Sequence, residues 1–259
     1  MNRFADRRII VTGGGSGIGQ GTVKRLLDEG GIVHAIDVNE AGLEATAKVA
    51  AADGTADRLT TGILDIANES AVAEHIGAVT ARLGGLDVLV NAAGIIRAAH
   101  THDCTLDMWN QVINVNLTGT FLMCRAALPA LLASGRGVIV NFSSTSATFA
   151  HPYMAAYAAS KGGIDAFTHT LAAEYAKQGL RAVNVAPGGI TSGITDDAAN
   201  MIPQDADWSL FAKTSAIVPN GGKGFGDPAD IAGAIAMLAS DDGKWITATA
   251  LRIDGGAHG

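Results

Sequence analysis

The sequence has little charge, few aromatic residues and almost no cysteine. Only 17% of its 259 residues are charged, 5% are aromatic, and there are 2 cysteines. Cys104 and Cys124 are too few for a disulfide framework and lack the CxxC spacing, so we expect reduced, packed thiols. A surplus of basic residues is also missing, because the net charge is −7. This balance argues against a nucleic-acid partner and against an anionic membrane surface.

Long apolar segments and a leader peptide are missing as well. We find no apolar segment of about 18 residues, and the first predicted strand begins by Arg8, which leaves no room for a cleaved signal peptide. We therefore expect a cytoplasmic protein that does not bind a membrane. His100 and His102 share a loop, but no convincing third ligand accompanies them, so no metal site is expected.

Alternation of short apolar runs with helical patterns continues along the whole chain. It predicts a parallel sheet with helices on both faces, an α/β fold of the Rossmann-type doubly wound kind with three layers, α/β/α. We find no repeat or linker and expect a single dinucleotide-binding catalytic domain over residues 1–259. A long helical stretch over residues 105–132 is interrupted in sequence by Gly119. Residues 190–226 lack clean periodicity and predict a loop excursion of the kind that often serves as a lid.

The chain is organised around the stretch RRIIVTGGGSGIGQG, from Arg7 to Gly21. Its apolar run predicts a buried strand, and its glycines predict a tight turn into a helix. The helix N-terminus behind this turn forms an anion site, for which a pyrophosphate is the usual ligand. The strict G-x-G-x-x-G fingerprint is absent, and the spacing is T-G-x-x-x-G-x-G. A second apolar run ends in Asp37, where a dinucleotide site expects an acidic residue.

Tyr157 and Lys161 stand four residues apart in a helix predicted over residues 155–178, so both side chains share one face. An ammonium favours phenolate, and we expect Lys161 to lower the pKa of Tyr157 toward the range useful for proton transfer. Ser144 lies 13 residues before Tyr157 and follows a predicted strand. Since these markers follow strands or share one helix face, they should line one crevice at the carboxyl ends of the strands.

With these motifs the chain resembles the short-chain dehydrogenase/reductase family from its first strand to its last. The resemblance rests on T-G-x-x-x-G-x-G, on N-A-A-G at Asn91 to Gly94, on the serine 13 residues before the tyrosine, and on Y-x-x-x-K. It implies four catalytic residues. Tyr157 exchanges a proton with the substrate oxygen, and Ser144 hydrogen-bonds that oxygen. Lys161 holds the nicotinamide ribose and tunes Tyr157, and Asn116 interrupts its helix to hold a water. Ser143 is adjacent, but the spacing favours Ser144.

The resemblance also implies a nicotinamide cofactor held by the glycine turn, by strand ends and by the segment after the sixth strand. The expected ligands are Gly13, Gly15, Ser16, Gly17, Ile18, Gly19, Asp37, Asp65, Ile66, Asn91, Ala92, Ala93, Gly94, Tyr157, Lys161, Pro187, Gly188, Ile190 and Ser192. Charge selects NAD over NADP, because a 2′-phosphate about 4 Å from Asp37 costs about 4 kcal/mol per charge pair. Thr191 stands beside Ser192, and the choice between their hydroxyls stays open.

We expect an NAD-dependent oxidoreductase that transfers a hydride between the cofactor and a small to medium secondary alcohol or ketone. One alternative is a 3-oxoacyl carrier-protein reductase, which the acidic charge and Asp37 disfavour. Another is a non-catalytic NADH-sensing binding protein, which needs no acid or base. Substrate contacts should come from Ile95, Ile96 and Arg97, from residues 146–154, and from the excursion. The resemblance further implies a homotetramer that pairs helices near residues 105–132 and 155–178.

Overall fold

The computed structural model describes residues 2–192, 200–218 and 224–258. Within them, one parallel sheet contains seven strands in the spatial order β3-β2-β1-β4-β5-β6-β7. The strands are β1 (Arg8–Thr12), β2 (Ile32–Asp37), β3 (Leu59–Ile63), β4 (Val88–Asn91), β5 (Val138–Phe142), β6 (Arg181–Pro187) and β7 (Ala250–Ile253). The order reverses between β1 and β4, and ligands of doubly wound sheets bind at such a reversal.

Helices cover both faces of this sheet. They are α1 (Gly17–Asp28), α2 (Glu40–Ala52), α3 (Glu69–Leu83), α4 (Leu106–Ile113), α5 (Gly119–Ala133), α6 (Ala155–Tyr175) and α7 (Pro228–Ala239). One apolar cluster joins the sheet to α1, α2 and α7, and a second joins it to α3, α5 and α6. The predicted Rossmann-type, three-layer α/β/α fold is therefore confirmed.

The apolar strands explain why the sheet is the centre of the molecule. Ile9, Ile10 and Val11 of β1 are fully buried, and their side chains alternate between the two apolar clusters. A parallel strand covered on both faces has no polar side to expose, which is why it reads as a continuous apolar run. Each strand end is thereby fixed at one edge of the sheet.

Helices α4 and α5 follow one another without a break at Gly119. Between them lies a π-helical turn, Asn114–Thr118, that contains Asn116. Gly119 has a packing role instead, because a Cβ there would lie 2.8 Å from the Ile66 side chain. The predicted long helix is thus confirmed, but its irregularity falls at Asn116 and not at Gly119.

The same stretch corrects the expectation that the chain has no long apolar segment. Leu106–Ala133 reaches a mean hydropathy of 1.4 in an 18-residue window, so by length and composition alone it is long and apolar enough to cross a membrane. Seven residues of α5 are buried, including Met123, Cys124 and Leu131, and the helix packs against α3 and the sheet. This packing is that of a core helix.

The predicted excursion is closed at its base by a short parallel bridge. Ile190 pairs with Gly226 in this bridge. The N–H of Thr191 donates to the carbonyl of Gly226 (2.9 Å), and the N–H of Gly226 donates to the carbonyl of Gly189 (3.0 Å). Residues 193–199 and 219–223 of the excursion lie outside the described residues. The part between them carries a 3-10 helix, Trp208–Thr214.

Candidate active site

Three adjoining cavities open at the carboxyl ends of the strands. The first has a volume of about 380 Å³ and lies beside the glycine turn, next to the reversal between β1 and β4. The second, of about 110 Å³, shares residues with both others. The third, of about 290 Å³, extends under the excursion. We call them the nucleotide, middle and substrate cavities, and together they form the predicted crevice.

The glycine turn leaves the start of α1 open toward the nucleotide cavity. Ser16 is the N-cap residue, but its side chain makes no capping hydrogen bond, and the first turn contains no acidic residue. A Cβ on Gly19 would lie 2.0 Å from the carbonyl oxygen of Gly13. Only glycine permits this close approach of helix and turn. Unpaired N–H groups at an uncapped helix start fit a pyrophosphate.

Asp37 stands at the end of β2, where the same turn holds its carboxylate. Its Oδ2 accepts the backbone N–H of Gly15 (2.9 Å), and its Oδ1 accepts that of Asn39 (3.0 Å). Each carboxylate oxygen can accept a further hydrogen bond, and the group donates none when ionised. Two backbone N–H groups thus hold the Asp37 carboxylate at the edge of the nucleotide cavity.

Most of the predicted cofactor residues line the nucleotide cavity. Those that do are Gly13, Ser16, Gly17, Ile18, Gly19, Asp37, Asp65, Ile66, Ala92, Ala93, Gly94 and Ser192. Phe142 and Val115 also line it and were missed, because an apolar residue within a strand or helix carries no sequence signal of its own. Gly15 does not line the cavity, but its backbone N–H donates a hydrogen bond to Asp37, which does. Twelve of the predicted cofactor residues thus share one cavity at the carboxyl ends of the strands.

The side chain of Asn91 is an exception that corrects the prediction. It is buried, and its Nδ2 donates to Oδ1 of Asn141 (2.8 Å), away from the nucleotide cavity. Asn141 in turn donates to Thr168 (2.9 Å), whose hydroxyl lies 2.9 Å from Oδ1 of Asn184. The three asparagines are in register on neighbouring strands. Asn91 therefore belongs to a buried polar ladder across the sheet.

Tyr157 and Ser144 stand where the middle and substrate cavities meet. Both residues line both cavities, while Lys161, Pro187 and Ile190 line only the middle one. Lys161 is buried, and its Nζ donates to the carbonyl of Phe142 (2.8 Å) and lies 5.5 Å from the ring centre of Tyr157. Gly188 also lines both cavities. The sequence-predicted serine, tyrosine and lysine are thus brought together.

Burial changes the acid–base properties expected for this pair. Burial raises the pKa of the Tyr157 phenol, and a hydrogen bond with Ser144 lowers it only in part. Burial also lowers the pKa of Lys161 to about 8. The phenol pKa is therefore raised and not lowered as expected, because desolvation outweighs the hydrogen bond with Ser144. Near neutral pH the phenol is protonated and able to donate.

Asn116 ties the π-helical turn to the loop after β4. Its Oδ1 accepts the N–H of Ile95 (2.8 Å), while its Nδ2 donates to the Ile95 carbonyl (2.9 Å) and to Ser160 (3.1 Å). The residue is completely buried. A Cβ on Gly94 would lie 3.2 Å from its Oδ1 and 3.7 Å from Nζ of Lys161. Asn116 thus fixes the wall opposite Lys161.

The structure distinguishes the two hydroxyl residues within each of two adjacent pairs, Ser143 and Ser144, and Thr191 and Ser192. The hydroxyl of Ser143 donates to the carbonyl of Lys161 (3.3 Å), whereas Ser144 faces Tyr157. Ser192 lines both the nucleotide and the middle cavity. Thr191 lines neither of them and is exposed. The geometry therefore favours Ser144 for the substrate and Ser192 for the cofactor.

The substrate cavity is mainly apolar. Its lining residues are Ile96, Ser144, Thr145, His151, Met154, Tyr157, Gly188, Gly189, Ile202, Trp208, Phe211, Thr214 and Phe225. Eight of these thirteen residues come from the three regions named from the sequence. Arg97 is not among them, and its guanidinium donates to the Ile96 carbonyl (2.7 Å). Ile202 and Thr214 carried no signal in the sequence. The cavity suits a small to medium uncharged molecule.

His100 and His102 lie outside this cavity. Nε2 of His100 pairs with Asp205 (3.0 Å), and the two rings stack with centres 5.4 Å apart. Among the described residues, no group of three or more His, Cys, Asp or Glu is placed to hold a metal ion.

Several known proteins are similar to this chain in sequence. A family model described as Enoyl-(Acyl carrier protein) reductase matches residues 13–258. The chain belongs to the short-chain dehydrogenase/reductase family. It is similar to 2-(S)-hydroxypropyl-CoM dehydrogenase 3 of Xanthobacter autotrophicus, with 36% identity over 98% of both chains. It is also similar to levodione reductase of Leifsonia aquatica, with 34% identity over 98% of this chain and 95% of the relative.

A solved structure supports the same membership. The crystal structure of levodione reductase superimposes with a TM-score of 0.89 at 32% identity, over 98% of both chains. A 3-oxoacyl-[acyl-carrier-protein] reductase of Thermotoga maritima is 33% identical over 98% of both chains. As a short-chain dehydrogenase/reductase, the chain is an oxidoreductase that acts on CH–OH groups with a nicotinamide cofactor.

Proposed function

We propose that this short-chain dehydrogenase/reductase is an NAD-dependent enzyme that interconverts secondary alcohols and ketones of small to medium size. One observation carries the proposal. Ser144 and Tyr157 stand at the junction of the apolar substrate cavity and the middle cavity, which adjoins the nucleotide cavity. A substrate oxygen at this junction meets a hydroxyl from each residue, while the substrate carbon faces the middle cavity.

Each side chain at the junction has a distinct role. Tyr157 is protonated near neutral pH and donates its proton to a carbonyl oxygen, or takes one from an alcohol once ionised. Ser144 donates a hydrogen bond to the same oxygen and orients it. Lys161 is held by the Phe142 carbonyl, and its remaining protons are available to the nicotinamide ribose. The nicotinamide, when bound, supplies or accepts the hydride.

The preference for NAD rests on the end of β2. Asp37 offers acceptor oxygens to the adenosine ribose, and its carboxylate repels a 2′-phosphate. The residues after it are Val38, Asn39 and Glu40, so no cation of that segment offsets this charge. The nucleotide is held by the glycine turn and by Asp65, Ile66 and Ala92 to Gly94, with Ser192 at the nicotinamide side.

The small-molecule substrate is supported by the cavity and by the named relatives. A cavity of about 290 Å³ with apolar walls limits the size of the ligand. The relatives are named for a hydroxypropyl-CoM and for levodione. A 3-oxoacyl carrier-protein reductase is the weaker alternative, because an acidic carrier would be repelled by a chain of net charge −7.

The test is formation of NADH, followed by absorbance, with secondary alcohols, diols, hydroxysteroids and 3-hydroxyacyl thioesters. Tyr157→Phe is the matched blank, since it removes only the phenolic oxygen. Turnover by the wild type alone supports the dehydrogenase. A wild type that binds NADH but oxidises no alcohol supports the NADH-sensing alternative, and activity confined to acyl thioesters supports the carrier-protein reductase.

We also propose that the chain works as one catalytic domain within a homotetramer in the cytoplasm. Leu106, Trp109 and Phe121 expose apolar surface on α4 and α5, and Trp245 is 96% exposed. Such surface favours association through these helices. Cys104 and Cys124 are free thiols, which fits a reducing compartment. A stable monomer in sedimentation would refute the assembly.

A further inference from the structure

The substrate cavity contains an imidazole that the proposed proton transfer does not use. Ser144 and Tyr157 are committed to the reacting oxygen, and the Thr214 hydroxyl donates to the Phe211 carbonyl (2.8 Å). Most other walls are apolar, among them Ile96 and Met154. Thr145 pairs with His151. This leaves the imidazole of His151 and the indole N–H of the exposed Trp208 to meet a second group on the substrate, and of these two side chains His151 is the more buried.

The ring of His151 is held in place on two sides. Its Nε2 lies 3.1 Å from the hydroxyl of Thr145, the residue that follows Ser144. The ring of His258 stacks near its face, with centres 5.8 Å apart and planes 23° from parallel. This preorganisation means that little side-chain entropy is lost when a ligand binds.

The stacking ring is itself fixed by the end of the chain. Nδ1 of His258 lies 3.1 Å from Oδ2 of Asp254, and its ring stacks on Phe149 with centres 4.2 Å apart. The guanidinium of Arg252 lies over the ring of Phe149, 5.3 Å from its centre. The rings of His151, His258 and Phe149 thus form a column that holds the imidazole of His151 in place.

The imidazole is uncharged at neutral pH and has hydrogen-bonding capacity to spare. Burial lowers the pKa of His151, and the neighbouring His258 lowers it further. Within the described residues, Nδ1 has no hydrogen-bond partner. It is a donor when the Thr145 hydroxyl donates to Nε2, and an acceptor when Nε2 donates to Thr145. A neutral ring of this kind pairs with a hydroxyl or a carbonyl and offers no charge to a carboxylate or a phosphate.

We propose that His151 binds a second, uncharged oxygen of the substrate, so that the preferred substrates are diols, hydroxyketones or diketones. The proposal rests on the proposed dehydrogenase function of the same cavity. The first oxygen lies at Ser144 and Tyr157, and the second lies at the imidazole. A site built to hydrogen-bond a hydroxyl discriminates strongly against an analogue that lacks it, because its buried polar group is then left unpaired.

The experiment compares alcohols that differ by one hydroxyl group. Cyclohexane-1,2-diol is paired with cyclohexanol, and butane-2,3-diol with butan-2-ol, each with NAD in excess. We expect the wild type to favour the diols in kcat/KM by about 10- to 100-fold. His151→Leu should remove this preference while changing kcat/KM for the simple alcohols by less than about threefold. His151→Asn, which retains hydrogen-bonding groups, should restore part of it.

Two controls separate recognition from folding. His102→Leu makes the same change at an exposed position outside the cavity and should leave both substrates unaffected. Thr145→Val removes the hydrogen bond to His151 with little change of volume, and it should weaken the preference for diols without abolishing turnover. If His151→Leu and His151→Asn lower kcat/KM equally for diols and simple alcohols, or if the wild type shows no preference for diols, the proposed role of His151 is refuted. The proposed dehydrogenase function would still stand. Oxidation of no alcohol by the wild type would refute the proposed function, and this proposal with it.

Discussion

The backbone N–H of Gly15 donates to Oδ2 of Asp37 over 2.9 Å. The glycine turn, which we propose receives the pyrophosphate, therefore also orients the carboxylate that we propose contacts the ribose. A Cβ on Gly15 would lie 2.9 Å from that oxygen, so a larger residue would displace the carboxylate. The proposed preference for NAD therefore depends on the joint geometry of both residues.

Replacing Asp37 by alanine should narrow the preference for NAD over NADP. The change removes a like charge about 4 Å from a 2′-phosphate, worth about 4 kcal/mol per charge pair at an effective dielectric constant near 20. We expect the ratio of kcat/KM with NAD to that with NADP to fall by about 10²- to 10³-fold. Asp65→Ala is the control, because its exposed carboxylate lines the same cavity and should affect both cofactors alike. An unchanged ratio in Asp37→Ala would assign cofactor choice to another residue.

The pH dependence of alcohol oxidation should report the phenol of Tyr157. Burial raises the pKa of this group, so the phenolate needed to accept the alcohol proton forms only at alkaline pH. We expect kcat/KM for oxidation to keep rising with pH up to the ordinary phenol pKa of about 10 and beyond it, while ketone reduction is retained at neutral pH. Lys161 is the cation nearest this phenol in the described structure, at 5.5 Å from the ring centre.

Ser144 provides a directional test of the same assignment. Its hydrogen bond lowers the pKa of Tyr157, so Ser144→Ala should move the alkaline rise to higher pH in addition to reducing the rate. Ser143→Ala is the matched control, because its hydroxyl contacts the Lys161 carbonyl and should leave the position of the rise unchanged. A shift in Ser143→Ala but not in Ser144→Ala would reverse the two assignments.

The order of elements and the crevice could be predicted because they depend on local patterns. The predicted alternation of strands and helices is the one in the structure, since apolar runs and turn residues mark the elements locally. The motif spacings of the family also predicted that Ser144, Tyr157 and Lys161 line one cavity, which is the middle cavity. Strand ends of a parallel sheet necessarily share an edge, so the strand-end part of the site follows from the fold.

The remaining features depend on contacts between distant parts of the chain. Asn91 belongs to a recognisable motif, but its side chain pairs with Asn141, fifty residues later, and so turns away from the cofactor cavity. The pKa of Tyr157 depends on how deeply the phenol is buried, which spacing to Lys161 does not reveal. His258 lies at the far end of the chain and meets His151 only after folding.

Two glycine-to-alanine variants should have opposite effects. A Cβ on Gly19 would lie 2.0 Å from the Gly13 carbonyl, so Gly19→Ala must push the turn away from α1 and should weaken NADH binding at least tenfold, by about 1.4 kcal/mol or more. A Cβ on Gly77, within α3, meets nothing within 4 Å, and Gly77→Ala should raise the free energy of unfolding by about 0.5–1 kcal/mol. Fluorescence titration of NADH and urea unfolding measure the two effects. Unchanged NADH binding in Gly19→Ala would contradict the close approach of turn and helix.

A buried pair of imidazoles should make the protein sensitive to acid. Nε2 of His34 lies 2.9 Å from Nε2 of His75, so one ring donates and the other accepts, and both are neutral. Burial, His75 and Arg82 lower the pKa of His34 to about 4 from its ordinary 6.5.

Because the unfolded chain binds this proton first, the free energy of unfolding should fall as the pH drops from about 6.5 to 4, by about 3 kcal/mol for one such group. His34→Gln cannot take up this proton and should show a smaller loss over the same range, measured by urea unfolding, even if it is less stable at pH 7.5. His102→Gln, at an exposed position, should retain the wild-type slope. Equal slopes for all three proteins would show that His34 does not cause the acid sensitivity.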